Sequence, residues 1–171
     1  VAVGLPDSVQ LYAKAEWFNP SGSVKDRAAL HIMRTAEENG RLWPGMTLLD
    51  ASSGNMALSY TLLGKARGYR LLLAVPESAG ADRIAHLRSL GAKVILTDSA
   101  EGSDGAIRAA QALAQANPTL FYANQYNNPA NWQAHYHSTG HEIWRQTDGR
   151  VTHFVAGIGT SGTMMGTGRR L

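Results

Sequence analysis

Asn19-Pro20-Ser21-Gly22-Ser23-Val24-Lys25-Asp26-Arg27 decides how this chain is read. It separates two runs of different period. Before it, Val9, Leu11, Ala13, Ala15 and Trp17 alternate with more polar residues, which predicts a strand from Val9 to Phe18. After it, Val24 to Asn39 reads as a helix. Asn-Pro-Ser-Gly is turn chemistry, because proline fixes one φ angle and glycine permits a bend that other residues resist. Ser23 followed by Asp26 three residues on is a capping-box pattern, which starts the helix at Ser23. Lys25 then falls in the first turn, where the positive end of the helix dipole disfavours a protonated amine. An amine kept neutral is a nucleophile that forms a Schiff base with an aldehyde. Taken alone, Lys25 reads more readily as an ordinary exposed first-turn lysine.

Working outward, short apolar runs alternate with helical ones. Thr47 to Ala51, Arg70 to Val75, Lys93 to Thr97, Leu120 to Ala123 and His153 to Ala156 read as strands. Met56 to Arg67, Ala81 to Leu90, Ala106 to Ala116 and Trp132 to Gln146 read as helices, and Gly40, Gly68, Gly91 and Asn117-Pro118 as stops. This alternation predicts an α/β fold with a parallel, doubly wound sheet. In such sheets ligands lie beyond the carboxyl ends of the strands. Lys25, Ser52 to Asn55, Gln125 and Gly157 to Gly162 each follow a predicted strand, so they are expected to converge on one crevice.

The composition bounds the rest. Of 171 residues, 44% are hydrophobic and 17% charged, which supports a folded core and argues against disorder. The net charge is +3 and the basic residues are scattered, with no basic stripe carrying aromatics, so nucleic acid is not an expected partner. There is no cysteine, which removes disulfides and thiolate chemistry together. No apolar run reaches the length of a membrane span and no signal peptide precedes the first predicted strand, so a soluble, cytoplasmic protein is expected. The chain ends at Gly168-Arg169-Arg170-Leu171, within what reads as a starting helix, and is expected to be part of a longer fold.

Gly157-Ile158-Gly159-Thr160-Ser161-Gly162-Thr163 stands between a predicted strand and a helix. Its backbone N–H groups can cradle a phosphate, helped by the helix dipole and by the hydroxyls. It also fits the G-x-G-x-x-G dinucleotide pattern, but in the last βα unit instead of the first. Ser52-Ser53-Gly54-Asn55 can form an anion nest, suited to a carboxylate, or simply cap the following helix. His137 and His141 share a helix face near His135, without the carboxylate of a metal motif, so no metal site is expected. Trp17, Trp43, Trp132 and Trp144 are expected in the core or at an interface.

Together these segments resemble the pyridoxal-phosphate-dependent cysteine synthases of fold type II, which are tryptophan synthase β-like. They are most like the cysteine synthase B, or O-phosphoserine sulfhydrylase, branch. Asn19 to Arg27 resembles the family's Schiff-base lysine motif, and Ser52-Ser-Gly-Asn55 its substrate-carboxylate loop. Gln125-Tyr-Asn-Asn-Pro-Ala-Asn131, with His135-Tyr136 and Thr139-Gly140, resembles the segment that supplies a glutamine to the substrate. Val155 to Thr163 resembles its phosphate loop.

The resemblance implies pyridoxal 5'-phosphate as cofactor and a role for each motif. Lys25 would carry the cofactor and later move the α-proton. Asn55 would hydrogen-bond its ring hydroxyl, and Gly159, Thr160, Ser161, Gly162 and Thr163 would bind its phosphate. Ser52, Ser53, Gly54 and Gln125 would hold the substrate carboxylate. The implied reaction is β-replacement on an activated serine, O-acetyl- or O-phosphoserine, by sulfide, in a homodimer. Residues 1–29 would begin a large domain, 30–133 form a small α/β domain, and 134–171 return to the large one, the fold being incomplete at both ends. Met56-Ala57 departs from the family's Thr-Gly and brings bulk without a hydroxyl to the substrate loop. β-Elimination by a dehydratase of the same fold, a non-catalytic truncated homologue and a dinucleotide-binding domain are the alternative readings.

Overall fold

The structure, a computed structural model, describes residues 4–6 and 8–171. Residues 1–3 and Asp7, within the expected 1–29 segment, lie outside the described residues. The centre of the fold is a four-stranded parallel sheet in the order β3-β2-β1-β4. The strands are β1 (Thr47–Ala51), β2 (Arg70–Pro76), β3 (Lys93–Thr97) and β4 (Leu120–Tyr122). Around them lie α1 (Lys25–Glu38), α2 (Asn55–Ala66), α3 (Ala81–Ser89), α4 (Gly102–Ala116), α5 (Pro129–Ala134), α6 (His141–Gln146) and α7 (Gly162–Arg170).

β1 and β2 are apolar along nearly their whole length because helices cover both faces. On one face Leu48, Leu71, Leu73 and Val75 pack with Ile32 and Met33 of α1, Tyr60 of α2 and Leu87 of α3. On the other, Leu49, Ala51 and Ala74 pack with Ala106 and Ala110 of α4. The chain moves outward from β1 to β3 and then crosses back to β4 on the far side of β1. A right-handed return of that kind puts α4 on the opposite face. The strand order therefore reverses between β1 and β4, and such a switch point opens a crevice at the strands' carboxyl ends.

Several expectations are corrected. Neither Val9 to Phe18 nor His153 to Ala156 is a strand; the first contains only a 3₁₀ turn, Glu16–Phe18. A strand needs a ladder partner, and neither run has one among the described residues. Val155 stands 90% exposed. The helix predicted from Trp132 to Gln146 is α5, a π-turn (His135–Gly140) and α6. The widened turn lies where α7 packs: a Cβ on Gly140 would meet the Arg170 side chain at 2.6 Å. α1 begins at Lys25, not at Ser23. Ser23 Oγ does accept from Lys25 N at 3.3 Å, but Asp26 reaches past Ser23 and accepts from Ser21 N at 2.7 Å. Trp17, Trp43 and Trp144 are exposed rather than in the core. Trp132 stacks beneath the Arg169 guanidinium, 4.5 Å from its centroid.

Candidate active site

The sequence-predicted residues meet at the switch point. A cavity of about 190 Å³ has Lys25, Ser52, Ser53, Asn55, Gln125 and Thr160 in its wall. Gly54 and Met56 also line it, as do Ser103 and Tyr126, which the sequence did not single out. Lys25 also borders a larger groove of about 1460 Å³, together with Gly157, Gly159 and Thr163. The lysine therefore stands between a polar pocket and the glycine loop. Ser161 and Gly162 line neither space. Ser161 adopts φ 63 and is exposed, whereas Gly162 turns its Cβ position towards Asn131.

Lys25 is half-buried, and that burial lowers the pKa of its amine from the ordinary value. No carboxylate pairs with it among the described residues. His135 lies behind it, fully buried, with Nδ1 2.9 Å from Thr139 Oγ1 and Nε2 3.4 Å from Thr163 Oγ1. Burial, then the nearby Lys25 and Arg27 charges, holds His135 down to about 4, so it is neutral at pH 7. His137 stacks towards His31 and His141 meets Arg170. Among the described residues no group of His, Asp and Glu is arranged to hold a metal.

Two loops face one another across the cavity. Ser52 Oγ accepts from Gly54 N at 3.3 Å, and Arg83 donates to the Ser53 carbonyl at 3.1 Å, which shapes the 52–55 turn. Asn55 opens α2, exposed at the cavity. Met56 differs from its expected effect on the substrate loop: its side chain is 2% exposed and packs in the main core, so most of its bulk is taken up there. Gln125 is buried opposite, with Nε2 donating to the Ala51 carbonyl at 2.9 Å. One carboxamide hydrogen remains for a ligand. Asn131 Nδ2 donates to both the Gln125 carbonyl and Thr160 Oγ1.

The comparisons with known proteins agree with this geometry. A family profile described as "Pyridoxal-phosphate dependent enzyme" matches residues 3–171. The chain belongs to the pyridoxal-phosphate-dependent enzyme family. It is 51% identical to a cysteine synthase of Aquifex aeolicus, across 98% of this chain and 51% of that protein. It is 41% identical to cysteine synthase B of Salmonella typhimurium, across 99% of this chain and 55% of that protein. The solved cysteine synthase of Entamoeba histolytica superposes with a TM-score of 0.85 at 40% identity, across 92% of this chain and 46% of that one. The chain thus spans about half the length of the relatives it matches. The parallel α/β sheet is that of the fold type II enzymes.

The residues fit a pyridoxal-phosphate-dependent enzyme's cofactor. A phosphate needs several N–H donors converging without side chains in the way. No N–H from Gly159 to Thr163 is spent on a backbone carbonyl among the described residues. The first N–H groups of α7 have no acceptor within the helix. Gly157 and Gly159 have no atom within 4 Å of the Cβ position, which leaves the loop's face open. An aldehyde carbon needs a neutral amine, and burial biases Lys25 that way.

Sequence reasoning missed Asp50, which has no exposed surface and accepts from Ala51 N at 2.9 Å and Gln125 N at 3.3 Å. The signal was an acidic residue inside the apolar run Thr47-Leu-Leu-Asp-Ala51, just before the serine loop. Burial pushes its carboxyl up to about 7, against the opposing pull of those N–H groups and Tyr60. The Tyr60 hydroxyl lies beside it without completing a hydrogen bond of good geometry.

Proposed function

We propose that this chain carries the lysine-bearing part of a cysteine synthase, which replaces the β-substituent of O-acetyl- or O-phosphoserine by sulfide. One observation supports it above the others: a half-buried amine, without a carboxylate partner among the described residues, stands between an open glycine loop and a serine-and-amide pocket sized for a small anion. The identity to cysteine synthases along nearly the whole chain points the same way.

Pyridoxal phosphate, when bound, supplies an electron sink for the pair left on the substrate's α-carbon. Lys25 would hold the cofactor through Nζ and would accept the substrate's α-proton at that same atom. Gly159 to Thr163 supply N–H and hydroxyl donors to the phosphate. Asn55 orients the cofactor ring. Ser52, Ser53, Gly54 and Gln125 hold the substrate carboxylate, which fixes the α-carbon within reach of Lys25. Residues 30–133 form the small domain of the complete protein, while 1–29 and 134–171 belong to the larger one. The same reading makes that protein a cytoplasmic homodimer. Among the described residues no helix is long and apolar enough to cross a membrane.

The test is borohydride reduction of the complete, cofactor-loaded protein, followed by peptide mass spectrometry and product analysis. A phosphopyridoxyl label on Lys25, and cysteine formed from O-acetylserine and sulfide, are expected. A label on Lys14, Lys65 or Lys93 overturns the site, and pyruvate with ammonia as the main products overturns β-replacement.

A further inference from the structure

The β1–β4 ladder stops one residue short of the active site. Its last pair is Leu49 with Tyr122, and Ala123 N donates to the Leu49 carbonyl at 2.9 Å. Asn124 then takes φ 49, and the chain swings off the sheet. The next buried N–H, that of Gln125, has no ladder carbonyl to meet, and a buried N–H left unpaired is costly. Asp50 fills the gap. One carboxylate oxygen accepts from Gln125 N at 3.3 Å and the other from Ala51 N at 2.9 Å. Gln125 returns its own Nε2 to the Ala51 carbonyl at 2.9 Å. The resulting ring joins the residue just before the serine loop to the residue that bears the carboxamide.

We propose that Asp50 is a positioning residue, whose buried carboxylate locks Gln125 in register with the Ser52–Asn55 loop so that both grip one substrate carboxylate. This rests on the carboxylate-pocket reading above. The geometry calls for a carboxyl group. Two N–H donors converge on it, and only a group that accepts at both oxygens satisfies both. An asparagine would aim its own N–H₂ at one of them. The groups facing Asp50 are Tyr60 from α2, Tyr122 from β4 and Tyr126 from the following loop, and none of these is cationic. Two oriented N–H groups therefore hold the Asp50 carboxyl in place at a site where an apolar residue would pack more cheaply.

The test uses the complete, cofactor-loaded protein and two unreactive probes, L-alanine and L-alaninamide, titrated by calorimetry. The parent is expected to prefer L-alanine by about tenfold or more, the worth of one or two lost hydrogen bonds. Asp50→Asn should remove that preference with cofactor content unchanged, and Asp50→Asn with Gln125→Ala should lose no more than either single variant. A preference that survives in Asp50→Asn, or losses that add, overturns the proposal. So does an equal loss for both probes, which would mark a purely structural role. A parent that does not discriminate overturns the pocket reading itself. A second measurement needs no variant. Hydrogen exchange at the Gln125 amide in the parent should be strongly protected, and fast exchange there overturns the clamp even if Asp50→Asn does not fold.

Discussion

Asn131 donates through one nitrogen to the Gln125 carbonyl at 2.8 Å and to Thr160 Oγ1 at 3.0 Å, so a single buried carboxamide joins the Gln125 side of the polar pocket to the glycine loop. Its oxygen faces Gly162, where a Cβ would lie 2.2 Å away. Gly162 is therefore needed to leave room for Asn131. Gly162→Ala is expected to push Asn131 off both partners, costing about 1–3 kcal/mol and loosening cofactor retention. Thermal unfolding and cofactor content after gel filtration check this. Parent-like values in both would show that Asn131 yields freely.

α7 offers a matched pair of glycines. A Cβ on Gly166 would lie 2.0 Å from the Trp132 carbonyl oxygen, a backbone atom that cannot rotate away. Gly168, two residues on, has nothing within 4 Å and is exposed. Gly166→Ala is expected to destabilise by about 2–4 kcal/mol through overpacking of α7 on α5. Gly168→Ala should stabilise by about 0.5–1 kcal/mol, the helix-propensity difference. Urea midpoints of the two variants should shift in opposite directions.

The four sheet strands and the helices packed on them were legible because their apolar runs are bounded by glycine, proline and asparagine stops. Val9 to Phe18 and His153 to Ala156 carry a similar signal and are not strands. A strand depends on a neighbour, which local sequence does not specify. The site's four motifs were legible because each combines turn chemistry with donors. The links between them were not. Asp50 meets Gln125 across 75 positions, Asn131 meets Thr160 across 29, and neither pairing leaves a local periodicity. The π-turn escaped for the same reason, since it lies where a helix beginning 22 positions later packs.

Glu142 anchors an ion network. Arg27 donates to both of its oxygens at 2.8 Å, Lys14 reaches one of them at 2.5 Å, and Arg27 Nε also bonds Glu16 at 2.9 Å. The network ties the segment before Asn19, α1 and α6 together. Hydrogen bonds from Arg27, above all, hold the Glu142 carboxyl down to about 2. A carboxyl whose folded pKa is depressed contributes stability above its unfolded value of 4.5, and loses it as pH falls towards 2. Glu142→Gln should cost roughly 1 kcal/mol at pH 7, a figure discounted for partial exposure, and progressively less below pH 4.5. Urea midpoints of parent and variant at pH 7, 5 and 3 should converge. A constant gap would assign the cost to packing rather than charge.

Lys25 carries the opposite sign. Burial lowers its folded pKa below 10.5, so near neutral pH the unfolded chain binds this proton more readily than the folded one. Linkage then makes the lysine a destabilising residue at neutral pH. The penalty is relieved as pH rises from the folded pKa towards 10.5. Lys25→Met keeps the length and apolar stem of the side chain and removes the charge. The cofactor-free variant is therefore expected to melt above the cofactor-free parent at pH 7, by less than about 1 kcal/mol because the amine is partly solvated. The difference should shrink as pH approaches 10. Added pyridoxal phosphate should stabilise the parent and leave the variant nearly unmoved, since only the parent can form the covalent link. A variant that melts below the parent at pH 7 would mean that the amine has a partner the geometry does not reveal. A variant stabilised by the cofactor as strongly as the parent would move the attachment point away from Lys25.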